Sequence, residues 1–204
     1  MSTNKLTNDL ECPIDVFFID VAEKMLPFVL SYKWVTPNMV TFGSFASRIV
    51  SYNLLLNSYG ILFLLFFYLS YILDCLDGKL ARARIGEDST FRSNKGDFYD
   101  HVSDILSSSL GFLIFIELSE SSIYCKILTV FLSLISVTLM CLHLGAQEKY
   151  SFVNGLKTSD SLYLLQYTCK AEKKEDIEEY LKKTRYFGCG TANVFISILM
   201  YLLF

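Results

Sequence analysis

The chain has 204 residues, of which 52% are apolar and 19% charged, and its formal net charge is -3. Soluble domains carry about 25% charged residues; here the mean hydropathy is +0.39 and the apolar residues gather in runs, with 25 uncharged positions over 49–73, 21 over 127–147 and 19 over 186–204. Each run is near or beyond the roughly 20 residues that cross a bilayer core, so the composition describes a polytopic membrane protein. It excludes a soluble enzyme, a disordered chain and a secreted disulfide scaffold, and the small negative charge gives no reason to expect nucleic acid.

Residues 1–11 are polar and lack the apolar core of a cleavable signal, which leaves insertion to the first spanning segment. Ile14, Phe17, Phe18, Val21, Met25 and Phe28 then follow an i, i+3, i+4, i+7 pattern with Asp15, Asp20, Glu23 and Lys24 between them. This predicts an interfacial amphipathic helix, with Pro27 as the place for a kink. The first span is predicted over 39–56 and the second over 60–76, joined by a turn at Asn57-Ser58-Tyr59-Gly60 whose polarity and glycine suit a short hairpin. Further spans are predicted over 97–118, 124–145 and 188–204, and a polar segment over 146–187 separates the last two. Within that segment Glu178 and Lys182, and Glu179 and Lys183, stand four apart, which predicts a solvated helix over 171–183. Residues 161–169 are too short and interrupted for a sixth span. The expected fold is thus all-α, a polytopic membrane helical bundle of about five transmembrane helices plus the N-terminal interfacial helix. Its segments are a cytoplasmic N-terminus (1–37), a core (38–145), a cytoplasmic polar segment (146–187) and a C-terminal transmembrane helix (188–204).

The side of each loop follows from its lysines and arginines: 3 lie in 1–37, 5 in 79–95 and 8 in 146–187, leaving only Arg48 and Lys126. By the positive-inside rule those three segments are cytoplasmic, which an odd number of spans makes self-consistent. The six cysteines, Cys12, Cys75, Cys125, Cys141, Cys169 and Cys189, are scattered with no C-x-x-C pair, and two histidines are too few to complete zinc sites. They read as reduced thiols.

Asp74 and Asp77 close the second predicted span, and Asp100 and Asp104 open the third. Carboxylates at membrane depth are costly and face the bundle interior where something compensates their charge. Spacings of i, i+3 and i, i+4 put each pair on one helix face, so the two faces could converge as oxygen ligands for hard divalent cations. Such a pair of metals suits phosphoryl or phosphodiester chemistry. Gly78 and Gly96 lie beside the pairs, where a missing side chain leaves room for a diphosphate, and Arg82 offers phosphate a planar fork. An EF-hand is excluded because Leu76 occupies a position that needs an oxygen ligand. An acidic ring in a cation channel or transporter stays open as an alternative, although it does not call for Gly78, Ala81 and Arg82.

The order Asp74-x-x-Asp77-Gly78-x-x-Ala81-Arg82, followed by Gly96-x-x-x-Asp100-x-x-x-Asp104, resembles the signature of the CDP-alcohol phosphatidyltransferases. All eight fixed positions are filled. The spacer between the halves has 13 residues, 83–95, where the family commonly has eight. Thr36-Pro37-Asn38-Met39-Val40-Thr41 is similar to the way the family leads into its first span, so the resemblance covers about residues 13–145, whereas the family's usual six spans exceed the five counted here. The resemblance implies that Asp74, Asp77, Asp100 and Asp104 bind metal, two divalent cations of Mg2+ or Mn2+. It implies further that Asp104 deprotonates the attacking hydroxyl, and that Gly78, Ala81, Arg82 and Gly96 accommodate the CDP moiety. Asp100-His101-Val102-Ser103-Asp104 is similar to the D-H-x-x-D of choline and ethanolamine phosphotransferases, in which His101 would assist as base or else merely face headgroups. The span after Asp104 has no lysine or arginine, which favours an uncharged acceptor. The implied activity is transfer from CDP-choline or CDP-ethanolamine to diacylglycerol with release of CMP. Alternatives are CDP-diacylglycerol plus inositol or serine, and a silent lipid-binding member. The implied partners are these substrates, membrane lipids and a second copy in a homodimer. The implied location is a multi-pass membrane protein with its site facing the cytoplasm, in an endoplasmic reticulum-type membrane if the source is eukaryotic.

Overall fold

The computed structural model describes residues 6–85, 94–155 and 162–203; within its helices the side chains of 85, 94–101 and 105 lie outside that description. The described residues are mostly helical and contain no strand. In chain order they form α1 (Pro13–Ser31), α2 (Pro37–Leu56), α3 (Gly60–Ile85), α4 (Asn94–Leu118), α5 (Ile123–Val153), a 3-10 turn (Tyr163–Thr168), α6 (Lys174–Thr184), a second 3-10 turn (Arg185–Phe187) and α7 (Cys189–Leu203). The described residues fall into two compact units, those within 18–130 together with 196–203 and those of 6–17 together with those within 131–195.

The first unit is built on α2, which packs along both α3 and α4. Thr36 caps α2 by accepting from the Met39 amide, and Pro37 occupies the first turn, where its missing N–H has no helical partner to lose. The chain then leaves α2 through Ser58 at φ 62°. The predicted turn is therefore present, but its left-handed residue is Ser58. Gly60 starts α3 and lies so close to the Tyr201 ring that a Cβ would collide with it, so its task is close packing. Tyr52, Leu55, Phe63, Phe67, Phe115 and Met200 form one buried cluster of this unit, and Ala22, Leu26, Val40, Leu76 and Leu80 form another.

Helix α1 departs from its predicted faces. Phe18, Ala22 and Leu26 are buried, whereas Phe17 and Phe28, assigned to the same apolar face, are 62% and 67% exposed. The helix therefore has a protein-facing stripe and separate outward aromatics suited to an interface between water and hydrocarbon. Its C-terminal end is fixed to α3 by Arg84, which donates to the carbonyls of Tyr32 and Lys33 at 3.0 and 3.2 Å. Buried Lys79 adds an ion pair to Glu23 at 3.3 Å. Pro27 lies inside α1 without ending it.

In the second unit, Leu6, Leu10, Ala146, Cys169, Ile177 and Leu181 form the core. The predicted solvated helix is thus amphipathic: α6 buries Ile177 and Leu181 completely and pairs Lys183 with Glu179 on its outer face. Asp15, read from sequence as a polar-face residue, is buried and accepts a hydrogen bond from the Gly190 N–H at the start of α7. Gln147 donates to Glu11 at 2.8 Å and also meets His143 Nε2. Because an amide nitrogen can only donate, His143 Nε2 accepts there and Nδ1–H faces the Thr184 hydroxyl at 3.1 Å.

Among the described residues, three segments are long and apolar enough to cross a membrane by length and composition: Gly60–Arg84, Ile123–Val153 and Lys174–Leu203. Helices α2 and α4 have 20 and 25 residues, enough length to span, but more polar sequences. Helix α5 has 31 residues and runs past the predicted span end at 145 into the polar segment.

Candidate active site on helices α2, α3 and α4

Hydropathy falls after Leu76, but α3 continues to Ile85, so Asp74 and Asp77 stand inside the helix with two further turns after them. Asp74 is half-buried and Asp77 is 5% exposed. Their i, i+3 spacing puts them on adjoining rows of one face. The buried carboxylate of Asp77 accepts from the Thr41 hydroxyl of α2, with Oγ1 to Oδ2 at 2.6 Å. The same hydroxyl lies 3.2 Å from the Pro37 carbonyl. It has one proton to give, and the shorter contact, to the carboxyl oxygen, is the stronger one.

Gly78 directly follows Asp77 and stands four residues before Arg82, and helical side chains lean toward the N-terminus. The Arg82 guanidinium accordingly folds back over Gly78, where a Cβ would lie 3.3 Å from Nη1 and 3.6 Å from Nη2. Arg82 stays exposed and within the electrostatic reach of Asp77. Arg84, two residues on, is buried against α1 and serves structure. Ala81, immediately before Arg82, is half-buried.

The remaining residues that the sequence proposes for the site lie on α4. Asp104 is exposed there, and its carbonyl accepts from the Ser107 hydroxyl at 3.1 Å. Gly96, Asp100 and His101 belong to α4, but their side-chain surroundings lie outside the described residues. Among the described residues no group of three or more Asp, Glu, His or Cys side chains stands close enough to hold a metal. The donor set itself, carboxylates with one of them buried and hydrogen-bonded, suits hard divalent cations.

Sequence reading passed over the polar seam behind these carboxylates. On α3, Ser70, Asp74 and Asp77 share a face, and α2 meets it with Thr41, Ser44 and Arg48. The Ser44 hydroxyl donates to the Ser70 carbonyl at 2.9 Å, and Arg48 Nε donates to Ser70 Oγ at 3.1 Å. Arg48 is also stacked 3.8 Å above the Phe67 ring and hydrogen-bonded to Tyr52. The available signal was periodicity: polar residues at i, i+3 and i+7 in a spanning helix need partners on the facing helix.

These features place two carboxylates and an arginine, Asp74, Asp77 and Arg82, on an apolar helix where α2 packs against it. A family profile for CDP-alcohol phosphatidyltransferase matches residues 34–203, and the chain belongs to that family. The match begins after α1 and continues through the polar segment and α7, well past the region 13–145 in which the resemblance was read. No curated protein and no solved structure matches the chain. Membership makes it an integral membrane transferase of phosphate-containing groups acting in phospholipid biosynthesis, with a CDP-alcohol and an alcohol or lipid acceptor as substrates. The family is generally dependent on divalent cations.

Proposed function

We propose that the protein transfers a phosphoalcohol group from CDP-choline or CDP-ethanolamine to diacylglycerol, releasing CMP. The observation that carries this reading is the buried Asp77 on the same face as Asp74, with Arg82 folded over Gly78 one turn on. Asp74, Asp77, Asp100 and Asp104 hold two divalent cations, Mg2+ or Mn2+. When bound, these offset the diphosphate charge and stabilise departing CMP. Arg82 pairs with donor phosphate, and Gly78, Ala81 and Gly96 leave room for the CDP moiety. The acceptor hydroxyl oxygen attacks the phosphorus bearing the alcohol, the bond from that phosphorus to the CMP oxygen breaks, and Asp104 takes the hydroxyl proton, assisted by His101. Five spans, a site facing the cytoplasm, a homodimer and an endoplasmic reticulum-type membrane complete the reading.

The commitments of Arg48 favour an uncharged acceptor. A phosphorylated acceptor brings about two negative charges near four carboxylates, and each unit pair at 4 Å costs about 4 kcal/mol at an effective dielectric of 20. Arg48, tied to Ser70, Tyr52 and Phe67, is not poised to offset that charge. The test is CMP release from purified protein across a panel of CDP-alcohols and acceptors. The expected result is turnover with CDP-choline or CDP-ethanolamine and diacylglycerol. Turnover only with CDP-diacylglycerol and inositol or serine would move the assignment to that branch, and efficient use of glycerol 3-phosphate, lost on Arg48→Gln or on Lys95→Gln, the lysine directly before Gly96, would move it to phosphorylated acceptors. Asp77→Asn should lower turnover at least about a hundredfold while leaving abundance and helical content unchanged; retained turnover at saturating metal would remove Asp77 from the site.

A further inference from the structure

A carboxylate on an aspartate turns easily about its terminal bond, so a site that needs it in one orientation must hold it from outside its own helix. For Asp77 that hold comes from α2. Thr41 Oγ1 reaches Asp77 Oδ2 at 2.6 Å, and its proximity to the Pro37 carbonyl at 3.2 Å fits one of the two rotamers that threonine adopts in a helix. The register of α2 against α3 is set nearby and independently, by Ser44 donating to the Ser70 carbonyl and Arg48 donating to the Ser70 hydroxyl. The start of α2 is fixed by the Thr36 cap and Pro37, four residues before Thr41. The hydroxyl is therefore delivered to the carboxylate by a rigid frame.

We propose that Thr41 is a positioning residue that holds the Asp77 carboxylate in its cation-binding orientation. The inference rests on the reading of Asp77 as a metal ligand. It predicts an effect on cation affinity more than on the chemical step, because the hydroxyl touches the carboxylate and acts on the cation only through it. Groups that orient a metal ligand commonly contribute 10- to 100-fold in metal affinity or activity.

The test uses the full chain in detergent, with Mn2+ binding followed by the paramagnetic resonance of the free ion and CMP release titrated with Mn2+. Thr41→Val keeps the shape and removes the hydroxyl, Thr41→Ala removes it should valine impair folding, and Thr41→Ser retains it. The expected result is Mn2+ affinity at least about tenfold weaker in Val or Ala, with most turnover regained at saturating Mn2+, and Ser within about threefold of the parent. Parent-like Mn2+ affinity and activation in Thr41→Val, alongside loss of Mn2+ binding in Asp77→Asn, would overturn the role of Thr41 and leave the metal assignment standing. Parent-like Mn2+ binding in Asp77→Asn would overturn both.

Discussion

Three arginines of α2 and α3 have three different fates, set by the neighbours of each. Arg48 is consumed by Ser70, Tyr52 and Phe67, and Arg84 by the carbonyls that end α1, while Arg82 lies exposed over Gly78. Gly78 sits inside a helix, where glycine costs about 1 kcal/mol relative to alanine, so the position tolerates a loss of stability that the helix alone does not require. In Gly78→Ala the new methyl would meet the far end of a flexible side chain at 3.3 Å, and the guanidinium can give way without moving backbone. We expect an unfolding temperature equal to or above that of the parent, together with a donor KM raised about tenfold through the displaced Arg82, equivalent to the loss of about 1.4 kcal/mol. Thermal unfolding and donor titration check the two halves separately; a clear fall in stability would show that packing dictates the glycine.

At the scale of elements, α7 illustrates both an anchoring device and the limits of periodicity. Its 15 residues span about 22 Å, and its first turn is met by the buried Asp15 carboxylate, which accepts from the Gly190 N–H. Gly188 and Gly190 each lie so close to Asp15 that a Cβ would collide with it. A carboxylate at a helix N-terminus satisfies an open donor and opposes the helix dipole. Asp15→Ala should therefore cost about 1–2 kcal/mol, lowering the unfolding temperature by about 2–8 °C in a chain of this size, whereas Asp20→Ala on the same helix should not. Periodicity made Asp15 and Asp20 equivalent, because it registers the helix face but not a partner about 175 residues away in sequence. The same limit explains Ile177 and Leu181, whose burial depends on Leu6, Leu10 and Ala146. Some element positions were legible because turn residues bound apolar-rich stretches: α2 and α7 begin and end within two residues of their predicted bounds. The end of α3 was not legible, since its last turns carry the charges that a hydropathy boundary treats as loop. The aspartates, Gly78, Ala81 and Arg82 stood out by spacing, but Thr41 did not, because its pairing with Asp77 exists only once α2 and α3 are docked.

For the whole molecule the open quantity is the number of crossings, and buried polarity bears on it directly. Helix α2 falls short on hydropathy partly through Arg48, and an arginine at the centre of a spanning helix costs about 2.5–3.5 kcal/mol on insertion scales. That cost applies to a residue facing lipid; Arg48 faces the bundle interior, at 9% exposure, with hydrogen-bonding and aromatic partners. Helix α4 gains similarly from burying Ser107 and from Lys126, which donates to the Ile116 carbonyl at 2.7 Å near the helix end. Both helices thus suit crossing as parts of a bundle while failing a test applied to isolated segments. Five crossings keep the basic segments 1–37, 79–95 and 146–187 on one side, whereas crossings by α3, α5 and α7 alone would put Tyr59 on the side of the N-terminus and the basic link after α3 on the other. Tyr59 and Glu120 are exposed beside the turns that follow α2 and α4, and Glu172 is exposed ahead of α6. In a background lacking the six native cysteines, Tyr59→Cys and Glu120→Cys should react with a membrane-impermeant maleimide from the non-cytoplasmic side, and Glu172→Cys only after the membrane is opened. Reaction of Tyr59→Cys from the cytoplasmic side alone would reduce the count to three and place the α3 carboxylates on the opposite face of the membrane, away from cytoplasmic CDP-alcohol.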